Sequence, residues 1–153
     1  QPRNRTRLLK VLVNGFDFAY LKVKEKLESL AQDRDEFNQQ ILDIAQVVYN
    51  DIGKLLVATD KIGLTENNIR LFGNHFGALL AVIEYGITSI NFDMNIQDRL
   101  YTHIKNITDM FKRIAQSSLN YLKKRILIIY EENREITSVE QQQYLIKIAN
   151  LFG

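Results

Sequence analysis

The sequence predicts an all-α protein: an antiparallel up-down four-helix bundle with a longer fourth helix and a short fifth helix folded back on it. Apolar residues recur at intervals of three and four along almost the whole chain. No comparable stretch has the period of two that marks a half-buried strand, and the single proline is Pro2. The 153 residues are expected to form one domain, which is large enough to bury a core without disulfides.

Five helices are predicted from the apolar rows and from the residues that start and stop helices. Their expected spans are residues 6–31, 35–61, 65–91, 95–134 and 138–151. Because three of the connections are only about three to five residues long, neighbouring helices are expected to be antiparallel. Residues 1–5 are expected to form a basic arm that need not be ordered.

Capping residues support these boundaries. The acidic run at 33–36 places negative charge where the N-terminus of the second helix favours it. Gly63 is expected to stop that helix, and Thr65 to start the third. Two residue pairs have the spacing of a capping box and are expected to open the last two helices: Asn95 with Asp98, and Thr137 with Glu140.

The residue types argue against several kinds of chemistry. The chain has no cysteine, which excludes disulfides, thiolate metal sites and a cysteine nucleophile. His75 and His103 are the only histidines, and neither has the spacing of a helical metal site. There is no G-x-S-x-G motif and no phosphate-binding loop. We therefore expect a non-enzymatic protein without a metal or another cofactor.

The stretch FGNHFGALLAVIEYG, residues 72–86, combines three glycines with a dense apolar run. The longer segment Leu71–Phe92 has the length of a membrane span, but its polar residues are costly in hydrocarbon, so no transmembrane segment is expected. We interpret residues 72–86 as the middle of the most buried helix. Gly73, Gly77 and Gly86 are then points where another helix comes close, although glycine costs about 1 kcal/mol against alanine in a helix.

Four residues form a candidate buried polar or ligand site: His75, Glu84, Tyr85 and Tyr101. A buried Glu84 needs a partner, and a lysine or a tyrosine hydroxyl on a facing helix is the expected one. The site is either structural or the lining of a pocket between helices.

Basic residues are concentrated at the start of the chain. Residues 1–26 contain seven Lys or Arg and two acidic residues, whereas the remainder is net acidic. Concentrations of basic residues are commonly solvated helix faces, and a surface that docks an acidic or phosphate-bearing partner is the alternative. The candidate basic docking surface comprises Arg3, Arg5, Arg7, Lys105, Lys112, Arg113, Lys123 and Lys124.

The segment RILIIY, residues 125–130, is apolar at consecutive positions after its arginine. If the short fifth helix covers only part of this segment, the rest is a surface for a partner or a second copy. A candidate apolar interface with a partner or a second copy therefore comprises Ile126, Ile128, Ile129 and Tyr130.

These observations lead to the hypothesis of a non-enzymatic interaction or assembly module, a scaffold-like subunit or domain of a larger protein complex. One alternative is a small-molecule-binding domain with a pocket near Glu84 and His75. Another is binding of an anion, a nucleic acid or an anionic membrane surface through the basic residues. The chain begins at Gln1, so we expect a processed or excised product that is compatible with export, and the compartment stays open.

Overall fold

The structure, a computed structural model, describes the backbone of residues 2–112 and 116–153, and the side chains of those ranges from Thr6 onward. The described residues are helical and contain no strand, which confirms the all-α prediction. In chain order the helices are α1 (Pro2–Ser29), α2 (Arg34–Ile62), α3 (Glu66–Ala81), α4 (Gln97–Phe111), α5 (Gln116–Glu132) and α6 (Val139–Leu151). A π-helical segment, Val82–Ile87, continues α3, and a 3-10 turn, Met94–Ile96, precedes α4. α1 thus includes residues 2–5, which the sequence analysis assigned to an arm.

Contacts between helices give the directions of α2 and α4 relative to α3. Asn38, in the first turns of α2, donates to the Asn91 carbonyl oxygen and accepts from the Asp93 amide beyond the π-helical segment. α2 is therefore antiparallel to α3. Phe111, the last residue of α4, stacks on Phe76 of α3 with 4.1 Å between ring centroids, so α4 also runs against α3.

The predicted fourth helix over 95–134 is wrong, because two helices occupy this part of the chain. α4 ends at Phe111, and α5 begins at Gln116 and runs back beside α1 and α3. A single forty-residue helix would be about 60 Å long and would extend well beyond α2 and α3. The chain reversal instead buries the apolar row of α5, which comprises Leu119, Leu122, Ile126 and Ile129.

α3 lies at the centre of the protein, as the sequence analysis expected for this stretch. From Phe76 to Ile83 every residue is buried. α1 and α2 pack directly against α3, and α2, α4, α5 and α6 supply most of the remaining core. α1 contributes little to the core, since Leu27 is the one large apolar side chain of its described part that is fully buried.

Three of the predicted helix boundaries are confirmed by their hydrogen bonds. The Asp33 carboxylate accepts from the Glu36 amide at the start of α2, and the Thr65 hydroxyl accepts from the Asn68 amide at the start of α3. Gly63 ends α2 with a φ of 81°, a conformation that favours glycine.

The two predicted capping boxes are wrong. Asp93, not Asn95, caps the 3-10 turn before α4. The capping box of α6 is formed by Ser138 and Gln141, one residue later than expected. Gln141 is held in this capping box because its side-chain amide also donates to the carbonyl oxygens of Ile87 and Ser89, which follow α3 and are each 2.9 Å away.

Candidate binding grooves on either side of α1

Backbone packs against backbone where α1 crosses α3. A β-carbon added at Gly73 would lie 2.2 Å from the Leu12 carbonyl oxygen, and one added at Gly77 would lie 2.2 Å from the Phe16 carbonyl oxygen. A β-carbon added at Gly15 of α1 would lie 2.4 Å from the Arg70 carbonyl oxygen of α3. No side chain fits at such distances, and the geometry suits weak Cα–H···O contacts. The interpretation of Gly73 and Gly77 as close-approach points agrees with this packing. Gly86 instead faces the side chain of Ile41 in α2.

α1 packs mainly on α3 and the π-helical segment, and its two flanks are open. Large apolar side chains remain exposed on these flanks: the exposed fraction is 59% for Leu9, 45% for Val13 and 65% for Phe18. All three line one of two grooves that run beside α1. Exposed apolar groups that cluster in this way mark binding surfaces more often than scattered ones do.

The α1–α2 groove lies between these two helices, has α3 as its floor and encloses about 480 Å³. Phe18, Lys22 and Lys26 lie on its α1 wall, with Lys22 over the Phe18 ring. Val47 lies on the α2 wall and is 55% exposed. The groove therefore combines exposed apolar side chains with a basic rim.

The floor of the α1–α2 groove is polar. His75 is half-buried there, and loss of solvent lowers its pKa, an effect that the negative charge of Asp51 partly offsets. The imidazole is therefore neutral at neutral pH. Its neighbour Asn74 has a buried Oδ1 atom without a hydrogen-bond partner among the described residues.

The α1–α5 groove lies on the opposite flank of α1 and encloses about 440 Å³. Most of its lining is apolar and comes from Leu9, Val13 and Phe16 of α1, Phe76 of α3 and Leu122 of α5. Its polar residues are Asp17, Ser117, Ser118, Tyr121 and Arg125. An apolar cleft with few polar groups is the usual form of a small-molecule site.

Arg125 is the half-buried cation of the α1–α5 groove. Its guanidinium donates to the Tyr121 hydroxyl at 3.0 Å and forms none of the ion pairs recorded among the described residues. Partial burial lowers its pKa, but the hydrogen bond to Tyr121 and the negative charge of the nearby Glu84 raise the pKa overall. Arg125 therefore lies at the end of the groove that is near Tyr20 and Glu84.

Glu84 lies in the π-helical segment and contacts α1. The Tyr20 hydroxyl donates to its carboxylate at 2.5 Å and lies 3.2 Å from the Tyr85 hydroxyl. Burial and the hydrogen bond to Glu84 raise the pKa of Tyr20 far above its ordinary value, so this phenol stays protonated. Lys24 completes the cluster, with its ammonium 5.2 Å from the centre of the Tyr85 ring. The expected partner of Glu84, a tyrosine hydroxyl on a facing helix, is therefore Tyr20.

The four residues of the predicted polar site lie in three different places. Glu84 and Tyr85 are together beside α1, whereas His75 is on the floor of the α1–α2 groove. Tyr101 lies on α4, where the Lys147 ammonium of α6 is 4.3 Å from its ring centre. Neither groove contains both His75 and Glu84 in its lining.

Part of the predicted basic surface is paired with acids. Arg7 contacts Glu66 at 2.6 Å, while Lys105 and Lys112 contact Asp109 at 3.1 Å and 3.8 Å. Lys124 is exposed, and Lys123 lies beside Gly153. The side chains of Arg3, Arg5 and Arg113 lie outside the described residues.

The predicted apolar interface on α5 is only partly on the surface. Ile126 and Ile129 are core residues, because they belong to the buried row of this helix. Ile128 is exposed, and Tyr130 is half-buried with the Arg134 guanidinium over its ring.

Sequence reasoning missed the residues that form the groove walls. Val13 and Phe18 line the grooves, are exposed and do not belong to the buried apolar row of α1. Apolar residues outside the row of an amphipathic helix were the available signal, because a helix with one buried face needs only one row. Tyr20 was not identified as the partner of Glu84 from the sequence.

Comparison with known proteins gives no relative: no family model, no curated protein and no solved structure matches this chain. In the part of the chain that the structure describes, no helix has the length and apolar character needed to cross a membrane. The same described residues contain no group of three or more His, Asp or Glu that could hold a metal ion.

Proposed function

We propose that this chain is a non-enzymatic interaction module, a subunit or domain of a larger assembly, which binds an amphipathic helix of a partner protein in the α1–α2 groove. The observation that carries the proposal is the pair of exposed apolar side chains on facing walls, Phe18 and Val47, 65% and 55% exposed. Binding of a helix in a groove between two helices is a common recognition mode.

The charges of the groove favour an acidic partner on the α1 side. Lys22 and Lys26 lie one helical turn apart on this wall, and neither takes part in the ion pairs of the described residues. Asp43 on the α2 wall already accepts from the Gln39 amide at 2.8 Å. A partner helix with acidic residues along one edge would therefore bind in one orientation.

The shape of the surface favours a protein segment over a bilayer or a nucleic acid. Phe18 and Val47 lie on the α1 and α2 walls of a groove, which a helix enters and a flat membrane surface does not. Two lysines beside an aspartate give too little positive charge for a run of phosphate contacts.

Site-specific photo-crosslinking tests the proposal. In one variant a photoreactive residue replaces Val47 in the groove. In the matched control it replaces Val57, which is on the same helix, is 56% exposed and lies outside the groove. In the cells that produce the protein, we expect a discrete crosslinked partner from position 47 and not from position 57. Absence of a partner at 47, or the same products at both positions, would overturn the proposal.

A binding measurement with the purified partner completes the test. Phe18→Ser with Val47→Ser should lower the affinity at least about tenfold, because residues at the centre of an interface carry most of its energy. Val57→Ser should leave it unchanged. Equal affinity of all variants, or binding to anionic vesicles or nucleic acid in place of a protein, contradicts the proposal.

A further inference from the structure

The α1–α5 groove has features that the proposed partner helix does not use. It is on the other flank of α1, and its apolar lining ends at a half-buried guanidinium. We infer that this groove binds the free carboxylate form of a single-chain fatty acid, with the hydrocarbon along Leu9, Val13 and Phe76 and the carboxylate at Arg125. The inference does not depend on the proposed partner.

The dimensions of the groove fit a hydrocarbon chain. The lining residues of α1 extend from Leu9 to Asp17, which corresponds to about 12 Å along the helix. The volume of about 440 Å³ lies within the range of small-molecule sites. Walls of leucine, valine and phenylalanine offer the chain apolar surface and few hydrogen-bonding groups.

The open groove has a structural cause. The glycine contacts hold α1 against the backbone of α3, so the position of α1 is set by that crossing and not by side chains of α5. Phe16, Phe76 and Leu122 fill the base of the space between the helices, and Leu9 and Val13 remain partly uncovered. An acyl chain would cover the surface that α5 leaves exposed.

The polar end of the groove selects the head group. Arg125 uses one donor on Tyr121, and the guanidinium has five N–H groups, so a carboxylate can accept two parallel hydrogen bonds from it. The nearby Glu84 carboxylate already accepts from Tyr20. A single guanidinium near an existing acid suits a monoanion better than a phosphate with two charges.

Calorimetric titration with octanoate, decanoate and dodecanoate, below their micelle concentrations, tests the hydrocarbon part. Affinity should rise about fourfold for each added methylene, the equivalent of 0.8 kcal/mol. Ser118→Leu places a larger side chain of α5 in the groove and should abolish this rise of affinity with chain length. Absence of dodecanoate binding, or an affinity independent of chain length, would overturn the inference.

Variants at the polar end test the head group. Arg125→Gln should weaken dodecanoate binding about tenfold to a hundredfold and leave dodecanol binding unchanged. Asp17→Asn should strengthen dodecanoate binding a few-fold, because it removes a like charge from the lining. Arg134→Gln is the control, since Arg125 lies over the Tyr121 ring and Arg134 over the Tyr130 ring, but Arg134 is outside this groove. An equal effect of Arg125→Gln and Arg134→Gln contradicts the assignment of the carboxylate to Arg125.

A structural measurement distinguishes binding in the groove from adsorption elsewhere. Dodecanoate should shift the backbone amide resonance of Gly73, on the groove lining, and leave that of Gly53 in α2 unchanged. Binding to anionic phospholipid vesicles without a response to free dodecanoate would show a membrane surface site and would overturn the inference.

Discussion

The carbonyl oxygen of Phe16 lies so close to the α-carbon of Gly77 that a β-carbon at this position would be 2.2 Å from it. The same relationship joins Leu12 to Gly73, one helical turn earlier on both helices. Together these contacts fix how α1 lies on α3, and thereby place both grooves beside it.

Gly77→Ala should therefore destabilise the protein, although alanine is the better helix former. Helix propensity alone would contribute about 1 kcal/mol of stability. The added methyl group would force the two backbones apart, which typically costs about 1–3 kcal/mol. Urea unfolding followed by circular dichroism measures the net change, and we expect a lower midpoint.

Gly53→Ala is the matched control, because Gly53 lies inside α2 and no atom would be within 4 Å of its β-carbon. We expect this variant to be up to about 1 kcal/mol more stable than the parent. If both alanine variants are stabilised, the close contact of α1 with α3 is not as described.

The hydrogen bond from Tyr20 to Glu84 should appear as a coupling energy. Tyr20→Phe removes the donor and leaves a half-buried carboxylate short of a partner, at a cost of about 1–3 kcal/mol. Glu84→Gln should be milder, since the amide oxygen still accepts. In a double-mutant cycle of Tyr20→Phe and Glu84→Leu, the changes in unfolding free energy should be non-additive by about 0.5–3 kcal/mol. Strict additivity would show that the bond contributes nothing to stability.

Gln141 should be more important for stability than its position in a terminal helix suggests. Its side chain accepts from the Ser138 amide and donates to the carbonyl oxygens of Ile87 and Ser89. Gln141→Ala leaves these groups unpaired, and we expect a loss of about 2–4 kcal/mol in thermal or urea unfolding. The control Gln143→Ala, at an exposed position of the same helix, should change stability by less than about 0.5 kcal/mol.

Acid should weaken the fold partly through His75. Burial lowers the pKa of this imidazole in the folded state, so the unfolded chain binds more protons as the pH falls below about 6.5. Its contribution to stability is therefore complete above that pH and is lost as the pH decreases toward the folded-state pKa.

The measurement compares unfolding free energies between about pH 7 and pH 5 for the parent and His75→Gln, which should show the shallower decline. His103 contributes in the same direction, because burial and the charge of Arg99 lower its pKa as well. Parallel curves for parent and His75→Gln would contradict the described environment of His75.

Local features of the fold were predictable where the signal lies within a few residues. The acidic run at 33–36, the Thr65 cap and the Gly63 stop act on the adjacent helix turn, and the sequence analysis placed these helix boundaries correctly. The cap of α6 was misplaced by one residue, because Gln141 is held by carbonyl groups about fifty positions away.

The candidate site was predictable in its parts and not in its arrangement. A partner for Glu84 on a facing helix was expected, but its identity as Tyr20 depends on the crossing of α1 and α3. His75 and Glu84 were expected near one pocket, yet His75 lies in the α1–α2 groove and Glu84 lies with Tyr20. Spacing along a helix does not give the direction from which the neighbouring helices approach.

The residue pattern alone predicts that this protein is helical, that residues 72–86 form its most buried part, and that glycines there permit close contact. Each of these follows from periodicity and residue size, which act over one or two helical turns. Tertiary structure decided that the chain reverses between α4 and α5, and that α1 lies between two open grooves. Those outcomes depend on how much apolar surface distant segments bury together and on how their volumes fit, which no local pattern records.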